Sequence, residues 1–423
     1  MKLCLPYAYL RPTETESAGY RLGVIMRNKS VLISGASIAG PALAYWLHRY
    51  GFDVTVVERA PALRAGGQAV DFKGKTHFTV LERMGILDDI HERRTGTTDT
   101  VFVDEDGRRL ATMSGDFTGG DVEILRGDLA EIMYKRTAEH CEYLFGDSIS
   151  ALTELSDGVY VEFEHGPART FDLVFGADGI HSRVRKLAFG PEKDFVKYLG
   201  HYYCVAGASP WSADATGPRE RVTAYGHNAP GKLAISGGSK AQQLYMFVSP
   251  ELRYSRDDTA AQRRIVEQVY ADVNWDVPRM LSEMADFDDF YLDSVSQVRL
   301  AGGYTKGRIA LVGDSAYGNT LAGFGTGLAV VGAYVIAGEL AVADGDYEVA
   351  FARYNKIMRR YAKIMGNSNA GRFLAPKTAR GIKWRNWFLE SRMLTLMMKY
   401  ADKAANDIDL RDYPALASVS GNN

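Results

Sequence analysis

The residues best placed to do chemistry in this chain form a turn, not a catalytic pair. Gly35-Ala36-Ser37-Ile38-Ala39-Gly40 lies between the apolar run SVLISG and the helical run ASIAGPALAYWLHRYG, and Glu58 closes the next strand, FDVTVVE. Ser30 to Glu58 is the length of one βαβ module. Gly35 permits the tight turn, the small Ser37 lets backbone approach a pyrophosphate, and Gly40 lets helix and strand pack closely. The helix N-terminus, with Ile38 and Ala39 at its start, offers unpaired N–H groups and a partial positive charge to phosphates. Glu58 would accept hydrogen bonds from a ribose, and an acid there disfavours a 2′-phosphate, so the nucleotide is FAD or NAD before NADP. Ser37 replaces the middle glycine of G-x-G-x-x-G, which keeps an ordinary glycine-containing βα turn as the plainer alternative.

Two more strand ends carry similar signals. Asp178-Gly179-Ile180-His181-Ser182-Arg183-Val184-Arg185 follows FDLVFGA, and Gly313-Asp314-Ser315-Ala316 follows RIALV. The loop Ala322-Gly323-Phe324-Gly325-Thr326-Gly327 then precedes a helix at Leu328. Backbone N–H groups and a positive helix end there would stabilise the anion that forms on reducing a flavin.

Three strand-end motifs in this order resemble the FAD-dependent aromatic hydroxylase family. It is the single-component flavoprotein monooxygenase group that includes p-hydroxybenzoate hydroxylase and the tetracycline-inactivating monooxygenases. The resemblance covers most of residues 30 to 340. It implies an α/β fold: a Rossmann-like FAD-binding domain of GR2 type, an inserted mixed β-sheet substrate domain and C-terminal helices. By that resemblance Gly35, Ser37, Ile38, Ala39, Gly40 and Glu58 hold the AMP half of FAD. Arg59 and Arg126 match arginines lining FAD in the tetracycline-inactivating members, Asp178 belongs to the motif near FAD and NADPH, and Asp314 binds the ribitol. Gly325, Thr326 and Gly327 approach the flavin. Tyr317, Leu321 and Gly327 depart from the family's G-D-A-A-H, proline and G-x-N pattern.

The implied reaction uses NADPH or NADH as a transient co-substrate to reduce FAD. O₂ then adds at flavin C4a, and a hydroxyl group passes to an electron-rich aromatic or phenolic ring. No second G-x-G-x-x-G unit follows a strand, so no separate NADPH domain is expected. No residue is required as acid or base, because the flavin carries the chemistry. A disulfide reductase is disfavoured by the lack of C-x-x-C. Trp384-Arg385-Asn386-Trp387 has the wrong spacing for a flavin-dependent halogenase. A flavin oxidoreductase of polyketide biosynthesis and a non-catalytic FAD protein that sequesters a ligand remain as alternatives.

Substrate residues are sought on the Tyr-bearing strands of residues 190 to 300. Alternation puts Tyr202 and Cys204 on the face opposite Tyr203, groups Arg221, Thr223 and Tyr225, and pairs Tyr245 with Phe247. Arg221 matches the place of a substrate-contacting arginine in the tetracycline-inactivating members. With Thr223, Tyr245, Leu321, Ala322 and Phe324 it completes the candidate set for a large aromatic or polycyclic substrate, a tetracycline-type antibiotic among them. The plain alternative for each is a core or solvent-face position in a sheet. The stripe Met393, Leu396, Met397 and Tyr400 reads as helix packing before pocket wall. His181 reads as structural, and eight histidines without H-x-x-x-H spacing give no metal site.

Around these positions the chain divides into a disordered extension (1–28), a discontinuous FAD-binding domain (29–104, 124–188, 300–345), a substrate domain (105–123, 189–299) and C-terminal helices (346–415). Helices are expected over Lys75 to Met84, Leu129 to His140, Thr259 to Val273 and Leu328 to Leu340, with a hairpin at Asp106-Gly107. Met26 is an alternative natural start. Fifty basic against 52 acidic residues leave no electrostatic footprint for nucleic acid or an anionic membrane. Cys4, Cys141 and Cys204 are too few and scattered for a disulfide framework, which suits a reducing cytosol. With no run of 18 uninterrupted apolar residues and no signal-peptide pattern, a cytoplasmic monomer or weak homodimer is expected.

Overall fold

The computed structural model describes residues 27–64, 67–209, 221–321, 323, 325–363, 369–394 and 410–413. The expectations for the N-terminal extension before residue 27, and for Ala322, Phe324, Leu396, Met397 and Tyr400, lie outside the described residues.

A six-stranded sheet organises the first half, in the order Thr305–Lys306, Ile309–Leu311, Leu173–Gly176, Ser30–Ser34, Asp53–Glu58, Glu142–Phe145. All its pairings are parallel except the short edge pair. Its central strands are buried on both faces, which explains their continuous apolar runs. Helix Ala39–Arg49 covers it together with Gly325–Val342. Among the described residues, Gly325–Val342 alone is long and apolar enough to cross a membrane, and 78% of it is buried inside the protein. It begins three residues before the expected Leu328, at the glycine-rich loop itself.

The second half is a seven-stranded sheet: Phe290–Val298, Val196–Ala206, Gln243–Val248, Lys232–Ser236, Val222–Ala229, Thr98–Val103, Arg109–Met113. Thr98–Val103 belongs here, so the expected boundary after residue 104 cuts a hairpin in two. The turn at Asp106-Gly107 returns one strand directly onto the other, and both must share a sheet. Val122–Leu125, in contrast, pairs with Ala69–Phe72 in a separate two-stranded ribbon.

Register fixes the two faces of the large sheet. Tyr202, Cys204, Ala234, Tyr245 and Phe247 pack beneath helices Thr259–Tyr270 and Val277–Met284, forming one core with Val266, Tyr270, Met280 and Met284. Tyr203, Leu233, Met246, Val295 and Phe102 take the other face, where they meet Phe388 and Leu389 of helix Ala379–Leu389. That parity is the one expected for Tyr202 and Cys204 against Tyr203.

Candidate active site

Gly35 stands at φ +107°, where an added Cβ would lie 2.5 Å from the Ala177 carbonyl oxygen. A Cβ on Gly40 would lie 1.8 Å from the oxygen of Gly35. The turn therefore tolerates only glycine at both positions. Ile38 and Ala39 are buried behind it, while Ser37 is exposed at its apex. No side chain caps the helix that follows, and its first turn carries no acid, so its N–H groups are available to a phosphate. Glu58 accepts from the Ala36 N–H (2.8 Å) and the Ala60 N–H (2.9 Å), which holds the acid beside the turn. Arg59 borders an open groove of about 500 Å³ with Pro61, Leu63, Arg64 and, from the other half, Asp257.

The second motif ties itself together. Asp178 accepts from Ser182 Oγ (2.5 Å) and from the Arg183 and Val184 N–H groups (2.8 and 3.0 Å), capping helix Arg183–Ala188. Burial nevertheless raises its carboxyl above the usual range. Arg185 is wholly buried and donates to the Ile180 carbonyl (2.5 Å) and the Ser315 carbonyl (2.9 Å), locking the second motif to the third. Asp314 follows Gly313, where an added Cβ would meet Ala39 Cβ at 3.0 Å, so all three strand ends converge. Asp314 keeps part of its surface exposed and has no hydrogen-bond partner among the described residues, and the packing around its carboxyl raises it above the usual range. An orphaned acid on a cleft floor fits the hydroxyl groups of a ribitol.

Gly325 and Thr326 open the long helix, half-buried, and Gly327 abuts His77 so closely that a Cβ would lie 2.0 Å from the ring. This accounts for glycine at 327: the imidazole fills the space. His77 is pushed down to about 4 by burial and accepts from the Lys73 N–H at 3.1 Å, so it stays neutral. Tyr317 is a core residue whose hydroxyl donates to the Leu328 carbonyl and occupies the space that Gly332 leaves. Leu321 is exposed in the left-handed region at φ +60°, a conformation that costs a leucine stability. Arg126 opens helix Arg126–Lys135 against Gly67.

Three substrate candidates lie on the face of the large sheet opposite Tyr203. Tyr245 is fully buried, donates to Gln243 at 2.8 Å and packs on Tyr270 under the helices. Thr223 pairs in register with Asp99 and is exposed, and Arg221 spends its guanidinium on Asp99 (2.9 Å) and Asp116 (2.5 Å) at the surface. All three follow the parity of Ala234 and Cys204, opposite Tyr203, and Arg221 also lines a cavity of about 180 Å³ with Thr95, Gly120 and Glu123. Alternation sorts these side chains into two sets, but a strand does not announce which of its faces meets a neighbouring domain.

Where the large sheet meets the nucleotide half, His181 of the second motif joins groups the sequence did not flag. His181 bridges to Asp293 (3.1 Å) and Glu192 (3.0 Å), with Arg256 at 2.6 Å from Nδ1. Burial alone would lower His181, but the two carboxylates outweigh it and hold the imidazole above its ordinary value. Tyr291 donates to Asp293 at 2.7 Å and packs on Tyr203, which reaches Gln68 beside Arg126. Lys240 sits between Asp71 (3.1 Å) and Glu123 (3.0 Å), which together outweigh its burial and push it up to about 12. Only His181 and Arg185 had a signal, as members of the second motif.

A family model described as FAD binding domain matches residues 28–347, about three quarters of the chain. The chain is a member of the FAD-dependent aromatic hydroxylase family. Among the relatives of this flavoprotein is an uncharacterized protein of Mycobacterium tuberculosis, 42% identical over 328 residues, 74% of this chain and 86% of the relative. A flavin-dependent monooxygenase of Legionella longbeachae is 38% identical over 330 residues, 75% and 82% of the two chains. The crystal structure of tetracycline destructase Tet(51) superposes with a TM-score of 0.75 at 31% identity, covering 90% of this chain and 99% of that one. The hydroxylase fold thus accounts for the converging strand ends, and FAD is the nucleotide they fit.

Proposed function

We propose that the chain is an NAD(P)H- and O₂-dependent monooxygenase that hydroxylates a large aromatic or phenolic ring, with a tetracycline-type molecule as the first compound to try. FAD, when bound, supplies the redox chemistry and the oxygen activation. The residues around it do the positioning: Glu58 and the first helix N-terminus hold the adenosine end, and Asp314 the ribitol. The large sheet turns Tyr203 and Tyr291 toward the nucleotide half, next to Gln68 and the Asp293–His181 pair, and helps exclude water there. Convergence of three strand ends beneath that aromatic face is the observation that carries the reading. Similarity to Tet(51) supports a polycyclic substrate.

The test is turnover of the FAD-loaded protein with NADPH, isotopically labelled O₂ and chlortetracycline, followed by mass spectrometry. One labelled oxygen atom in the product is expected. NADPH oxidation that yields only hydrogen peroxide with every phenol and tetracycline offered would leave the oxidase chemistry and reject the hydroxylation.

A further inference from the structure

Two arginines among the described residues are almost completely enclosed, and they differ in one respect. Arg185, at 0% exposure, faces the charges of Asp178 and Glu192 and donates to two carbonyls. Arg385, at 1% exposure on helix Ala379–Leu389, has no carboxylate within ion-pair distance among the described residues. Its Nη2 donates to Asn228 Oδ1 (2.5 Å) and its Nε to Asn386 Oδ1 (2.9 Å), while Nη1 has no hydrogen-bond partner among the described residues. The guanidinium carbon lies 3.7 Å from the centroid of the Phe102 ring. Burial alone pushes the group down to about 10, so it remains a cation at neutral pH.

An enclosed cation without a counter-ion is expensive, and cation–π contact and two neutral amides compensate only in part. Such a group persists where an anion completes it. Phe102 and Asn228 lie on the sheet face shared with Tyr203 and Met246, the face read above as the substrate wall. Around Arg385 that wall is otherwise apolar: Ala111, Met113, Leu233 and Phe388. We infer that Arg385 is the anchor for an anionic oxygen, carboxylate or enolate, on a fused-ring substrate. Its unpaired N–H group forms a charge-assisted bond there, and the apolar wall takes the rings. An anionic oxygen conjugated to a ring also makes it electron-rich, as attack by an electrophilic oxygen donor requires. Entry needs the helix to draw back from strand Arg109–Met113. Its end is held there by Glu390 contacts to Arg109 and the Thr112 N–H, both 2.8 Å and solvent-exposed, which are weak restraints.

The inference rests on the reading of this face as the substrate site, and the test separates the two. FAD-loaded wild type, Arg385→Met and Arg385→Gln are titrated with 2-naphthoate and with 2-naphthalenemethanol, by flavin fluorescence and by thermal melting. Wild type should bind the acid more tightly than the alcohol. Both variants should lose about tenfold or more in affinity for the acid and keep that for the alcohol. The free variants should melt at or above the wild-type temperature, since an uncompensated charge is gone; if Arg385→Met does not fold, Arg385→Gln carries the same expectation. Variants that melt lower and bind both probes as wild type does would make Arg385 a packing residue and leave the substrate face standing. Failure of both probes to bind FAD-loaded wild type would overturn the face and the anchor together.

Discussion

The two halves of this flavoprotein specify themselves differently. In the nucleotide half, backbone does the recognising, so function is written into residue types that only one geometry accepts: Gly35 at φ +107°, Gly40 against its oxygen, Gly313 against Ala39. In the sheet half, side chains do the recognising, and the same Tyr, Thr and Arg pattern fits a core, a solvent face or a pocket wall. Tyr203 and Tyr245 are both buried tyrosines in adjacent strands, yet one looks at the nucleotide half and the other at Tyr270. Period-2 alternation separates them into two sets without saying which set meets the flavin.

Substitutions that strike the backbone-coded half should have the largest effects. Gly40→Ala places a methyl group 1.8 Å from a fixed backbone oxygen, and should cost about 3 kcal/mol or more and abolish FAD retention. Flavin content after gel filtration reports this, and a yellow, stable variant would show that the turn can relax.

Asp314→Asn comes next. FAD affinity should weaken by roughly tenfold to a hundredfold, the worth of a charge-assisted hydrogen bond in a sheltered site, while the apoprotein becomes no less stable. The sign follows from linkage: the folded-state carboxyl is raised, so the folded chain holds its proton longer than the unfolded one. Its contribution to apoprotein stability falls as pH rises from the unfolded carboxylate range through the folded pKa. Apoprotein melting curves for wild type and variant should converge in acid and separate toward neutral pH, and the opposite trend would contradict an unpartnered acid.

The link between the halves should be weaker. His181→Gln removes a cation held by Asp293 and Glu192, for about 1–3 kcal/mol at pH 6. A raised histidine stabilises fully below its unfolded value of 6.5, and that stability is lost as pH rises through the folded pKa. The difference in melting temperature between wild type and variant should therefore shrink between pH 6 and pH 9. A constant difference would mean that His181 acts by shape alone.

Smallest of all should be Arg221→Ala and Tyr245→Phe, the positions that sequence reasoning favoured for substrate. The Arg221 pairs are surface contacts, so stability should change by less than about 1 kcal/mol. Tyr245→Phe should cost about 1 kcal/mol through its Gln243 partner. Neither should alter ligand-stimulated NADPH oxidation, and a large drop in that rate for either would place the substrate on the helix-covered face.

What was legible follows the same division. Gly35, Gly40, Glu58, Asp178, Gly313 and Asp314 could be found because each answers a local geometric demand, and the strand ends that carry them come together. Gly327 departs from the family pattern because His77, 250 residues upstream, fills its space, and nothing local to either residue records that contact. Lys240 between Asp71 and Glu123, and Asp293 beside His181, join segments more than 100 residues apart. Such pairs are products of domain packing, and a single sequence carries no trace of them.

The most direct test of the account is anaerobic reduction of the FAD-loaded protein by NADPH, with and without chlortetracycline, followed by admission of O₂ while the flavin absorbance is watched. Bleaching that the ligand accelerates is expected, then reoxidation coupled to an oxygenated product. A purified chain that cannot be loaded with FAD, or whose bound FAD neither NADPH nor NADH reduces in the presence of any aromatic ligand, would contradict it.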